Sequence, residues 1–483
     1  MDWQPLEDGE PEEAACLALI GMRAYGVQLT QGHDKLLDSL RQAPLLSGYH
    51  LALWFASSWW RLRWEPRRQS TAWALAHGMA SIGEGYIWPH IDFASDGRFV
   101  LLNARPTLNR PGTPFRYIAP ETTSAIAAAD FEAVVDAFVA TVVQRLKDRS
   151  LAATGLESTW SAVVEERASQ AMTTRRKLEA LLGFDPQDMD ESRYARLEDE
   201  SRRIGAATVE ELAAAADHDG SIPTASDLDA MGRARGYPCG GFIQPASVSE
   251  RGPSVFAWKS GETAAKLLRD QEHLGLNPIT NDTLSGLCGL QTKVLKPEDR
   301  TATSPQLSFF ERGRAGEGRV VLRSKWAEGR RFDLARLLGD ELMRDEDEPF
   351  SPATRSQTYR QKAQRAFAAE LLCPFQAVED MLNGDYCEEA QQDVAAHFSV
   401  SSQTIRTQLA NHGRIDRFEP ISLYTSPSRM SYATYFIAKA HNELDSHGIQ
   451  EHEPGGPQAQ TACDPSDREL ECQAHSQYPP SLR

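Results

Sequence analysis

Arg336 and Asp340, in the stretch RRFDLARLLGDELMRDEDE, stand four residues apart, which on a helix puts them on one face a turn from each other. A guanidinium has five N–H donors and no lone pair for a metal, and Leu337 beside it neither ligates a cation nor takes a proton from water. Asp340 alone does not make a zinc site, because tight sites gather three or four N, S or O ligands. These residues therefore predict no catalytic machinery of their own. Their expected chemistry is mutual: an ordinary helix-surface ion pair worth about 0.3–0.5 kcal/mol. The alternative is a buried polar plug in a remodelled pocket. Elsewhere the twelve histidines contain no HxxxH pair, the seven cysteines no CxxC, and no GxSxG occurs. GRAGEG lacks the Lys-Ser/Thr of a phosphate loop and precedes a strand where such loops precede a helix. Cys373, just before Pro374 at the end of an apolar helix, reads as a buried, inert thiol.

Two further segments carry letters that suit nucleic acid. AAHFSVSSQTIRTQL has the order of a helix-turn-helix, with Ser402, Gln403, Thr404, Arg406 and Gln408 on the face that would read DNA. Between Gln391 and Arg417, however, only three arginines stand against two aspartates, so core packing is the stronger expectation. WWRLRWEPRR interleaves Arg61, Arg63, Arg67 and Arg68 with tryptophans that can stack bases. A buried aromatic helix with arginines at its rim has the same letters, and that is the expected arrangement. The acidic run Asp345 to Glu348 reads as a solvated loop, since nothing fixes the geometry a hard cation needs.

The elements that must position these residues read as a multidomain α+β protein. At 483 residues the chain accommodates about two to four domains. Its net charge of -17 argues against adhesion of the whole molecule to nucleic acid or anionic membrane. The longest mostly apolar stretch, 49–60, falls short of the roughly 20 residues a membrane span requires. MDWQPLEDGEPEE is not a secretory signal, so the expected location is cytoplasmic, with reduced thiols and no membrane partner. Residues 1–150 form an aromatic-rich α+β unit, with six tryptophans between Trp54 and Trp88, a hairpin at SDG and an amphipathic helix over 128–147. A helical connector spans 151–254. In 255–418 a helix, a hairpin of 306–310 with 319–323, and helices near Phe332 and in TYRQKAQRAFAAELLCP precede the helix-turn-helix-like pair. The tail 451–483 has no Ile, Val, Met, Phe or Trp and reads as disordered.

In that order LLRDQEHLGLNPI, the hairpin, RFDLARLLGDEL, QRAFAAELLCP and DVAAHFSVSSQTIRTQLANHG resemble the ImmA/IrrE family of zinc metallopeptidase-like proteins over about 260–415. The resemblance implies a mainly helical zincin-like domain with a small hairpin or sheet. It lays the family's zinc helix, RFTLAHELGH, over this chain so that Arg336 and Asp340 take the histidine positions and Leu337 that of the glutamate. The third ligand would fall near Gln361 to Ala363, yet no acid or histidine occurs from Ser351 to Ala369; Glu370 is the first, and with Arg336 and Asp340 it is a candidate lining residue of the groove. The resemblance, with these departures, implies a bacterial pseudo-metallopeptidase without catalytic residues, metal or cofactor. Its role would be regulatory, sensing or protein-binding, in a mobile-element, stress or phage-defence setting, with a protein or peptide partner. One alternative is an active zinc endopeptidase that cleaves a repressor and borrows histidines such as His77 or His90. The other is a DNA-binding regulator acting through 391–412.

Overall fold

The computed structural model describes residues 1–217, 219–244, 254, 256–298, 305–313, 318–344 and 348–415, all within one unit, Met1–Leu423. The acids at 345–347 and the tail 451–483 lie outside the described residues.

In the N-terminal region β1 (Gly32–Asp34) and β2 (Ser39–Arg41) precede α1 (Gly48–Trp64). Then come β3 (His90–Ser95), β4 (Phe99–Arg105), β5 (Phe115–Tyr117), β6 (Thr122–Ala127) and α2 (Ala128–Asp148). They build two antiparallel three-stranded sheets, ordered β5-β1-β2 and β6-β4-β3. The SDG turn forms as the sequence predicts: the Asp96 carboxylate accepts the amides of Arg98 and Phe99, and Gly97 takes φ +92°. Ser47 caps α1 by accepting the His50 amide. The helix buries Phe55, Trp59 and Trp60, and Trp59 lies parallel to Phe131 of α2 at 5.8 Å. The arginines around these tryptophans are tied down: Arg61 pairs with Glu65, Arg63 with Glu132, and Arg68 donates to carbonyls of Leu181 and Ala216.

Helices α3 (Gly155–Ala168), α4 (Gln170–Leu182), α5 (Glu191–Ile204), α6 (Ala206–Ala214) and α7 (Ala225–Arg235) come next. Beyond them lie β7 (Tyr237–Cys239), α8 (Ala257–Gln271), β8 (Ser308–Arg312), β9 (Gly318–Val321), α9 (Ala327–Met343) and β10 (Phe350–Ala353). The last helices are α10 (Tyr359–Leu372), α11 (Phe375–Leu382), α12 (Glu388–Phe398) and α13 (Ser402–Asn411). The molecule is mixed α+β, and among the described residues no helix is long and apolar enough to cross a membrane.

The expected hairpin, β8 with β9, is the centre of an antiparallel sheet ordered β7-β9-β8-β10. Strand alternation divides its side chains between two cores. Leu307, Phe309, Val321 and Phe350 join the leucines of α4 to α7, whereas Phe310, Val320 and Leu322 join the core of α8 to α13. Glu348, expected in a solvated loop, instead caps α6: its carboxylate accepts the amides of Ala207 and Thr208, both at 2.8 Å. An anion at a helix N-terminus satisfies orphan donors and complements the dipole, which an open loop does not.

Helix α10 lies between α8 and α9, and both approaches pass over a glycine. A Cβ on Gly261 would stand 2.2 Å from the Ala363 carbonyl oxygen, and one on Gly339 2.5 Å from the Phe367 ring. Gly261→Ala pushes against backbone, which has no rotamer to yield. It is expected to lower stability by about 1–3 kcal/mol, read as a shift of the urea midpoint at unchanged slope.

Candidate functional site

Thr358 caps α10 by accepting the Gln361 amide at 3.3 Å, and the helix then presents Arg360, Gln361 and Gln364 to Arg336 and Asp340 of α9. Arg360 grips Asp340 with two parallel bonds, Nε to Oδ1 at 2.7 Å and Nη2 to Oδ2 at 2.6 Å. Gln364 Nε2 adds a third bond to Oδ1 at 2.7 Å. Arg336 does not pair with Asp340. Its Nη2 donates to the Thr354 carbonyl at 2.7 Å and to Gln361 Oε1 at 2.6 Å. The expected helix-surface pair is thus corrected: Arg336 and Asp340 are 5% and 1% exposed, and each takes its partners from residues 354–364. The reason is geometric, since Arg360 meets the carboxylate with a planar fork.

The same side chains close the free edge of β10. Arg312 N–H donates to the Pro349 carbonyl, so odd-numbered groups face β8 and even-numbered ones face away. Of these, the Phe350 carbonyl accepts from Thr208 Oγ1, and the Pro352 carbonyl from the amides of Gln361 and Gln364. Thr354 donates its N–H to Gln361 Oε1 and accepts Arg336 at its carbonyl. Pro352 brings no N–H at all. At Pro352 and Thr354 an incoming strand finds no free backbone group to pair with.

A second carboxylate enters from α6. Glu211 accepts from Thr358 Oγ1 at 2.9 Å and Ser356 Oγ at 3.3 Å. Burial pushes its carboxyl above the ordinary value of 4.5, against the pull of Arg360. Burial works against the Arg360 charge, but Asp340, by attraction and hydrogen bonding, outweighs it and holds that guanidinium well above its ordinary value. Burial pushes the Arg336 guanidinium down, with Asp333 opposing.

The other candidates lie elsewhere. Leu337 is fully buried in apolar core. Glu370 does not line this site; its Oε2 accepts the Phe375 amide at 3.0 Å, and burial raises its pKa. His77 is buried between Glu65 at 2.9 Å and the Phe93 carbonyl at 2.8 Å, and His90 sits on β3 opposite Arg105, so neither is lent to Asp340. In the helix-turn-helix-like pair Ser402 and Gln403 are exposed and Arg406 half-buried, while Thr404 and Gln408 are buried. Gln408 is bound to Cys373, accepting its thiol at 3.2 Å and donating to its carbonyl at 3.0 Å, and burial pushes that thiol up. Arg360, Gln364 and Glu211 are absent from the candidates that the sequence offers. Arg360 and Gln364 repeat the four-residue spacing of Arg336 and Asp340, a signal available in the sequence; Glu211, in an alanine-rich helix, has none.

The donors present do not fit zinc. Both Asp340 oxygens already serve Arg360, the two glutamines are held by backbone and arginine, and Arg336 has no electron pair to give. Among the described residues no group of three or more His, Cys, Asp or Glu is placed to hold a metal ion. In comparisons with known proteins the chain matches no family model, no curated protein and no solved structure.

Asp340→Ala leaves a largely buried guanidinium unpaired and is expected to destabilise by about 3–5 kcal/mol. The double change Asp340→Leu with Arg360→Met recovers most of that loss in urea melts, because neither member of the ion pair is then left behind alone. Glu211 favours its protonated form in the folded chain, so the stability it adds is present below pH 4.5 and is lost as pH rises through its raised value. Glu211→Gln is therefore expected to gain on the parent as pH rises above that point, measured by melts from pH 4 to 8.

Proposed function

We propose that this chain is a pseudo-metallopeptidase of the ImmA/IrrE type, a regulatory or sensing factor that binds a protein partner without cutting it. The supporting observation is the grip of Arg360 on both oxygens of Asp340 at the position where the resembled family holds its zinc. A carboxylate engaged in this way is not available to polarise water, and Glu211, the second carboxylate at the site, is buried and already accepts from Thr358 and Ser356. The self-satisfied edge of β10 supports a further detail of the reading: partner binding uses another surface and leaves the relict groove shut.

The test combines metal analysis with a broad fluorogenic peptide mixture. Purified protein incubated with zinc and then dialysed is expected to retain well under one equivalent, and peptide turnover is expected to be the same for the parent and for Gln364→Ala. One tightly held zinc per chain, with cleavage abolished by a chelator, would overturn the reading.

A further inference from the structure

The turn between β3 and β4 reaches over to the start of α10. Tyr359 is the first residue of that helix, and its amide, which the helix itself does not serve, donates to the Asp96 carbonyl at 2.8 Å. Three residues on, Lys362 Nζ meets Asp96 Oδ2 at 3.2 Å. Asp96 thus divides its carboxylate: Oδ1 accepts the amides that shape its own turn, and Oδ2 holds α10. The Arg98 guanidinium lies 4.8 Å from the centre of the Tyr359 ring, and the Phe99 ring 6.0 Å from it. On its far side the Tyr359 hydroxyl accepts from Ser260 Oγ of α8 at 2.6 Å and donates to the Ser254 carbonyl at 2.8 Å.

The residues this turn holds bracket those that shut the groove. Between Tyr359 and Lys362 stand Arg360, which grips Asp340, and Gln361, which bonds Thr354 and the Pro352 carbonyl of β10. One helical turn is therefore fastened from two sides. The β3–β4 turn is itself anchored in the N-terminal region: Arg63 Nη1 donates to the Gly97 carbonyl at 3.1 Å, Ser95 Oγ to the Arg63 carbonyl at 2.6 Å, and Arg63 Nε to Glu132 of α2 at 2.6 Å. Little apolar surface backs the contact with α10. Ala257, Tyr359 and Ala363, with Phe99 and Met343 against them, form a small cluster apart from the large cores. A contact with so little buried apolar area opens at lower cost than those cores.

We propose that the β3–β4 turn is an autoinhibitory strap. By holding Tyr359 and Lys362 it keeps the first turn of α10 from lifting, and so keeps Arg360 on Asp340 and Gln361 on the edge of β10. Its withdrawal frees the Pro352 carbonyl and the backbone groups of Thr354, the groups that a partner strand would pair with. This rests on the sensing reading and deepens it by naming what keeps the groove shut. Metal retention and peptide turnover play no part in its test, so the failure of one is distinguishable from the failure of the other.

The experiment is amide hydrogen exchange of the full chain in the parent, in Asp96→Ser and in Lys362→Met. Serine still accepts the amides that shape the turn but no longer reaches Lys362 as an ion, and methionine keeps the apolar stem without the charge. Both variants are expected to speed exchange at residues 359–364 and at the Thr354 amide, which the turn does not touch, by about fivefold or more, while α1 exchanges at the parental rate. Coupling of this kind is reciprocal. The chain carrying Asp340→Leu with Arg360→Met is therefore expected to speed exchange of the Arg98 and Phe99 amides in the turn. The proposal is overturned if Thr354 keeps its parental rate in both single variants, as a purely local role of the turn requires. It is also overturned if exchange rises equally in α1, or if the Arg98 and Phe99 amides do not respond to the change at Asp340 and Arg360.

Discussion

The burial of the Asp340 carboxylate is the constraint on which the C-terminal half rests. An ion taken out of water costs several kcal/mol unless its hydrogen-bonding capacity is met by good geometry. Here it is met by the fork of Arg360 and the amide of Gln364, both on α10, so the axial register of α10 against α9 is specified by three directed bonds. Gly339 permits the close approach of α9 to α10 that those bonds need. Once the register is set, Gln361 and Arg336 fall opposite the outward groups of β10, and the edge is sealed without any additional element.

How much of this is legible in the sequence depends on the range over which each signal acts. The alternation Phe309/Phe310 and Val320/Val321 announces a hairpin buried on both faces, and the apolar stripe of α2 announces its core side; both are local periodicities. Strands β7 and β10 are not legible, because YPC and FSPA are short, contain proline and have no alternation to read. The spacing of Arg336 and Asp340 correctly puts them on one helical face. It does not reveal that a better-shaped partner arrives on the next helix, since that choice is made by packing. Glu211 is further still from view: it reaches the site only because α6 lies across the sheet from α9.

Glutamine at the helix-turn-helix-like pair illustrates how identical letters serve two ends. Gln408, on the face that would read bases, spends both ends of its amide on Cys373, fastening α13 to the end of α10. Ser402 and Gln403 remain in solvent at the start of the helix, so the polar composition that suggests recognition is shared between a clamp and a wet surface.

Helix α6 is held at both ends by charges from distant parts of the chain. The Glu348 carboxylate meets its first amides, and the Arg68 guanidinium meets carbonyls at and beyond its last turn, at Ala213 and Ala216. Each charge complements the pole it touches. The helix therefore ties the stretch that follows α1 to the stretch that precedes β10, and carries Glu211 between the two clamps.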